Sequence, residues 1–158
     1  KAGGEPARVA ATATPTKQRQ LQFWTALVEY LDAHKIPVKP QKPSPQHWLN
    51  SNPLGRSGFH VTSTVHSRDQ RIGAEVYISH QQSKEFFQKL LAQRAEIEKE
   101  LGFELEWMEL PDSHASRIAI FRPDSDLGNE TAWPVYFGWL ADKLSRLSAV
   151  FRARVREL

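Results

Sequence analysis

Hydrophobic positions along the chain alternate between helical and strand spacing, and the changeovers define the elements. Between residues 83 and 101, Phe86, Phe87, Leu90, Leu91, Ile97 and Leu101 recur near helical spacing while Lys84, Glu85, Lys89, Glu96, Lys99 and Glu100 fill the other positions. That pattern predicts an amphipathic helix with one buried stripe, about which the rest of the chain is organised. Ser83 is placed to cap its first free amides, Glu85 and Lys89 form an i,i+4 pair, and Gly102 can take the left-handed conformation that ends it.

Upstream, Leu21, Trp24, Leu27, Val28 and Leu31 predict a helix over residues 17–34, closed by Pro37. Pro37, Pro40, Pro43 and Pro45 then interrupt regular structure. Ser44 and Pro45 predict a single helical turn over residues 45–50, as cap and first residue. Strict alternation follows. Phe59, Val61, Ser63 and Val65 face one way and His60, Thr62, Thr64 and His66 the other; after a polar turn, Ile72, Ala74, Val76 and Ile78 oppose Arg71, Gly73, Glu75 and Tyr77. The two strands predict a hairpin. A second, less cleanly patterned hairpin is expected over residues 104–110 and 117–122, turning at Pro111, Asp112 and Ser113. Finally Phe137, Leu140, Leu144, Leu147, Phe151, Val155 and Leu158 predict a helix over residues 131–158, with Thr131 as cap and Pro134 in the first turn.

The order α-ββ-α-ββ-α predicts an α+β fold: a two-layer, mainly antiparallel four-stranded sheet with helices on one face. The opposite face is then exposed or covered by another domain. Residues 1–16, rich in Ala, Gly, Thr and Pro and starting without Met, read as a flexible tail or interdomain linker of a longer protein, with residues 17–158 as a single domain.

Composition narrows the chemistry. The 158 residues contain no cysteine, which excludes disulfides, thiolate metal sites and cysteine nucleophiles. No apolar run reaches the roughly 20 residues of a membrane span, so a cytoplasmic location without membrane contact is expected. A formal charge of +3 permits a polyanionic partner without requiring one.

The segments Phe23-Trp24, Trp48, Gly55-Arg56-Ser57-Gly58-Phe59-His60, Arg71-Ile72-Gly73, Tyr77-Ile78, Ile97-Glu98 and Leu105-Glu106-Trp107, with Trp133 and Trp139 beyond, resemble in order and content the domain of unknown function 4268 family. The resemblance runs from about Leu21 to Leu158. It implies a domain that often forms the C-terminal half of longer proteins whose N-terminal half resembles PD-(D/E)XK nucleases, in restriction or defence. No catalytic residues come with it.

A nuclease site within this chain is disfavoured, because Tyr77 stands where an acid-hairpin Glu-x-Lys motif needs lysine, and Glu75 and Tyr77 read as sheet-surface residues. His60-Val61-Thr62 and His114-Ala115-Ser116 are similar to the paired motifs of 2H phosphoesterases, but the second pair lacks the strand context. His60 and His66 share a strand face yet lie about 20 Å apart at strand rise, too far for one metal ion. No cofactor or metal is expected.

Gly55-Arg56-Ser57-Gly58 combines flexible amides, a bidentate guanidinium and a hydroxyl, a set suited to an anion; a plain tight turn into the strand competes with that reading. Trp24, Trp107 and Trp139 read as core, and Trp48 and Trp133 as edge plugs or base-stacking rings. Lys143, Arg146, Arg152, Arg154 and Arg156 make the last helix basic.

These features lead to a non-catalytic accessory domain that helps a linked nuclease-like protein recognise nucleic acid, with Trp48, Arg56, Ser57, His60, Arg71 and Tyr77 as the binding residues. A protein-interaction or homo-oligomerisation module is the alternative, with the absent upstream domain or another chain as partner. A phosphoesterase-like enzyme using His60 and His114 comes third.

Overall fold

The computed structural model describes residues 14–158. Most of the expected tail therefore lies outside the described residues, and Thr14 accepts a hydrogen bond from the Lys17 amide at 3.2 Å, capping helix α1 (Pro15–Ala33). The order continues β1 (Trp48–Pro53), β2 (Phe59–His66), β3 (Arg71–Ser79), α2 (Ser83–Leu91), α3 (Arg94–Leu101), β4 (Glu106–Met108), β5 (Ala115–Arg122), a 3-10 turn (Glu130–Ala132) and α4 (Trp133–Arg156). The fold is α+β. Its sheet has five antiparallel strands in the order β1-β2-β3-β5-β4.

Several expectations are corrected. Residues 45–50 do not make a helical turn. Leu49 is buried in the core, while Trp48 and Asn50 point to the opposite face beside Thr64 and Thr62, so the segment has strand periodicity and supplies the fifth strand. A window this short cannot separate the two periods, and Ser44-Pro45 weighs toward a helix start. The element order is accordingly α-βββ-αα-ββ-α. The single central helix is also two helices. Its apolar positions stop at Leu91 and resume at Ile97, and the chain turns between Ala92 and Gln93. Ser83 does not cap it; its hydroxyl donates to the His114 carbonyl at 2.6 Å. Gly102 does end α3 at φ 86°.

The organising role falls to α4 instead. Its Phe137, Leu140, Leu144, Leu147, Phe151 and Val155 are buried, and it packs on β2, β3, α1 and α3. Thr131 donates to Asn129 rather than capping α4. Against the helices the sheet presents Phe59, Val61, Val65, Ile72, Ala74, Val76, Ile78 and Ile118. Trp24 and Trp133 complete the core, their indole N–H groups donating to the carbonyls of Gln46 at 2.8 Å and Leu127 at 2.9 Å. All helices thus lie on one face, leaving the other uncovered by any described helix.

Candidate functional site

Strand register fixes what the open face displays. Across β1, β2, β3 and β5 one row reads Trp48, Thr64, Gly73, Phe121; the next reads Asn50, Thr62, Glu75, Ala119; the next reads His60, Tyr77, Arg117; and His66 opposes Arg71 at the far edge. Four of the six residues expected to bind a ligand, Trp48, His60, Arg71 and Tyr77, therefore share one face. Two of them, Trp48 and Tyr77, flank a cavity of about 260 Å³ that also takes in His47, Asn50, Thr62, Thr64, Glu75 and Arg117.

Glu75 forms the floor. It is 2% exposed, placed on the central strand between Thr62 of β2 and Ala119 of β5, with Arg117 diagonal to it. Burial pushes its carboxyl up to about 7, and the Arg117 guanidinium only partly opposes this. Arg117 Nε lies 3.8 Å from Glu75 Oε2, beyond hydrogen-bond length, and has no hydrogen-bond partner among the described residues. An acceptor and a donor thus stand side by side, both short of partners, in an accessible hollow.

Aromatic rings and cations alternate around them. Arg117 lies 5.3 Å from the Tyr77 ring centroid, and Arg71 lies 3.8 Å over Phe121 with its Nε unpaired among the described residues. Trp48 is 37% exposed, and its ring meets His47 edge-on at 4.8 Å. His60 Nδ1 is 2.8 Å from the Ser51 carbonyl, which can only accept, so that nitrogen carries the proton. Burial, assisted by Arg71, holds the His66 imidazole below its ordinary range.

Residues 19–155 match the family described as "Domain of unknown function (DUF4268)". The chain belongs to that family. No curated protein and no solved structure matches it.

In this DUF4268 domain, Arg56 and Ser57 lie apart from the open face, on the loop between β1 and β2. Arg56 donates to the carbonyls of Val155 at 3.3 Å, Arg156 at 3.4 Å and Leu158 at 2.5 Å, so its guanidinium closes the end of α4. Gly55, at φ 72°, lies so close to α4 that a Cβ there would sit 2.8 Å from the Arg152 carbonyl. The basic positions of α4 are also largely engaged. Arg146 bonds Asp142 at 2.8 Å, Lys143 lies 3.2 Å from Asp142, and Arg154 pairs with Glu100 and Gln93. Arg152 and Arg156 are exposed.

His60 and His114 are not brought together: β3 separates the strand that bears the first from the one that the second precedes. Among the described residues no group of three or more His, Asp or Glu could hold a metal ion, and no helix is long and apolar enough to cross a membrane. Asn50, Thr62, Thr64, Glu75 and Arg117 were not singled out as ligands from sequence. Their signal was positional, since each lies on the polar side of a strand whose other side is core. Glu75 corrects the surface reading, because the central strand leaves both its flanks covered.

Proposed function

We propose that this domain binds single-stranded nucleic acid on its open sheet face and contributes no catalysis itself. The observation that carries this reading is the gathering of Trp48, Tyr77, Phe121, Arg71 and Arg117 on one uncovered face. The exposed Trp48 ring and the half-buried Tyr77 ring offer stacking platforms to unpaired bases, while the guanidinium groups of Arg71 and Arg117 meet phosphates. A duplex hides its base faces and could use only the cations. The family resemblance supplies the rest: such a face would hand a strand to a nuclease-like domain linked upstream, in restriction or defence.

The test is fluorescence anisotropy of labelled single-stranded and duplex oligonucleotides over stepped salt. Single strands are expected to bind more tightly than duplexes, with affinity falling steeply as salt rises. Trp48→Ala should weaken single-strand binding by about tenfold or more, the scale of one lost base stack. Absence of association with either form at low salt overturns the proposal. If size in sedimentation then grew with concentration, the face would be a protein interface.

A further inference from the structure

We propose that the hollow floored by Glu75 is a subsite for one guanine base, an inference that rests on the nucleic-acid reading of the face. Its shape and polar groups both point there. A cavity of about 260 Å³ between two aromatic side chains suits one flat ring system rather than a larger ligand, for which pockets usually exceed about 300 Å³. Trp48 and Tyr77 stand on strands either side of β2, so a ring entering between them crosses above Thr62 and meets Glu75.

The polar edge distinguishes the bases. Guanine presents, side by side, the O6 acceptor and the N1–H and N2–H donors. An ionised carboxylate accepts both donors at once, and a guanidinium beside it donates to O6. Glu75 and Arg117 supply that donor-acceptor-acceptor series from adjacent strands, and neither has its hydrogen-bonding needs met by the other at 3.8 Å. Adenine and cytosine instead place a ring-nitrogen acceptor where guanine has N1–H, which would oppose the ionised carboxylate. Asn50, which also lines the hollow, accepts from the Thr62 hydroxyl at 2.7 Å through its side-chain oxygen, so that oxygen is engaged and the amide NH₂ is the group it can offer a bound base.

Guanine binding needs the ionised carboxylate, so affinity rises as pH rises through the Glu75 titration near 7. The groups facing this carboxyl are Thr62 and Asn50 from β2 and β1, Arg117 and Ala119 from β5, and Tyr77 along β3. His47 is at the rim, His66, Arg71 and His60 lie farther along the face, and Glu106 opposes Ala119 from β4.

The test measures binding of short oligouridylates in which one central base is guanine, adenine, cytosine or hypoxanthine. The guanine strand is expected to bind about tenfold or more tightly than the others, the scale of one bidentate base contact. Hypoxanthine lacks only the N2 amino group, so its loss of affinity reads the carboxylate contact on the unaltered protein. Glu75→Gln should bind all four strands alike and lose the rise with pH. Equal affinity of the four strands for the unaltered protein overturns the guanine subsite while leaving single-strand binding standing; failure of every strand to bind overturns both. Competition by guanosine monophosphate assigns the site to free nucleotide as well. Guanine preference without such competition assigns it to a base within a strand.

Discussion

Glu75 and Arg117 are diagonal neighbours on β3 and β5: Ala119 stands directly opposite Glu75, Tyr77 directly opposite Arg117, and the two charged groups meet at 3.8 Å across the gap. The pair is mismatched in depth. Glu75 is buried, whereas the Arg117 side chain is 36% exposed and reaches toward solvent. Coulomb attraction at that separation does not repay removal of the carboxylate from water, and the carboxyl holds its proton to about 7.

This gives the fold a pH signature. The unfolded chain loses the Glu75 proton near the ordinary value of 4.5, and the folded chain near 7, so between them the native state binds more protons. Stability should therefore fall as pH rises across that window and level off above it, by up to about 3 kcal/mol. Urea unfolding at pH 5 and pH 8 measures the fall. Glu75→Gln keeps the shape without the charge. Its slope should be shallower and its stability at pH 8 higher than wild type, while histidine contributions cancel in the comparison. An unchanged slope would remove the buried-carboxylate account.

Arg56 separates a structural from a binding role. Its guanidinium donates to three carbonyls at the end of α4. Arg56→Met should lower stability by about 1–2 kcal/mol, because charge-assisted bonds to otherwise free carbonyls are lost. Amide exchange over residues 150–158 should quicken at the same time. Single-strand affinity should stay within about twofold of wild type at temperatures where the variant is folded. A large affinity loss in a variant of wild-type stability would return the loop to the binding surface.

The alternating stretches were the legible part of the fold. Val61, Val65, Ile72, Val76 and Ile78 announce a half-buried hairpin, and the α4 stripe from Phe137 to Val155 announces a packed helix. β1 was hidden because six residues ending in proline carry one core side chain, Leu49, and the register to β2 is interrupted between Asn50 and Pro53. The site was legible only in part, since alternation puts His60, Arg71 and Tyr77 on polar sides but leaves Trp48 outside the sheet and does not say which strands are neighbours. Only the pairing of β3 with β5 rather than β4 brings Arg117 to Glu75. The Arg56 loop was ambiguous for a related reason: a guanidinium among glycines suits an anion and a helix end equally, and only tertiary structure shows it engaged at the end of α4.

Lys84 ties the second hairpin to α2. Its ammonium donates to the carbonyls of Glu109, of Leu110 at 2.6 Å and of Ala115 at 2.7 Å, and it lies 3.2 Å from the Ser116 hydroxyl. One cation thereby satisfies both ends of the turn joining β4 to β5. Lys84→Met keeps the aliphatic stem but leaves these acceptors without their donor. A loss on the order of 2 kcal/mol is expected in denaturant unfolding. Lys84→Arg, longer and planar, should recover only part of it, because three converging carbonyls suit a compact ammonium better than a fork. Full stability of the methionine variant would mean that water serves the turn equally well.

Gly73 is required by contact rather than by backbone angle. It lies between Thr64 and Phe121 on the open face, and a Cβ there would fall 2.5 Å from Thr64 Oγ1 and 2.9 Å from the Phe121 ring. Neither obstacle is the loose end of a long chain. The threonine is β-branched and buried, and the ring is held under Arg71 at 3.8 Å. Gly73→Ala should therefore destabilise by about 1–3 kcal/mol, despite alanine's lower cost of ordering in a strand. The ring supplies two of the three nearest atoms, Thr64 the nearest, so the same substitution should cost less, though still something, in a Phe121→Leu background. Unfolding midpoints of the four members of that cycle measure the coupling. Additive losses would mean that Gly73 is held by something other than the ring that crosses it.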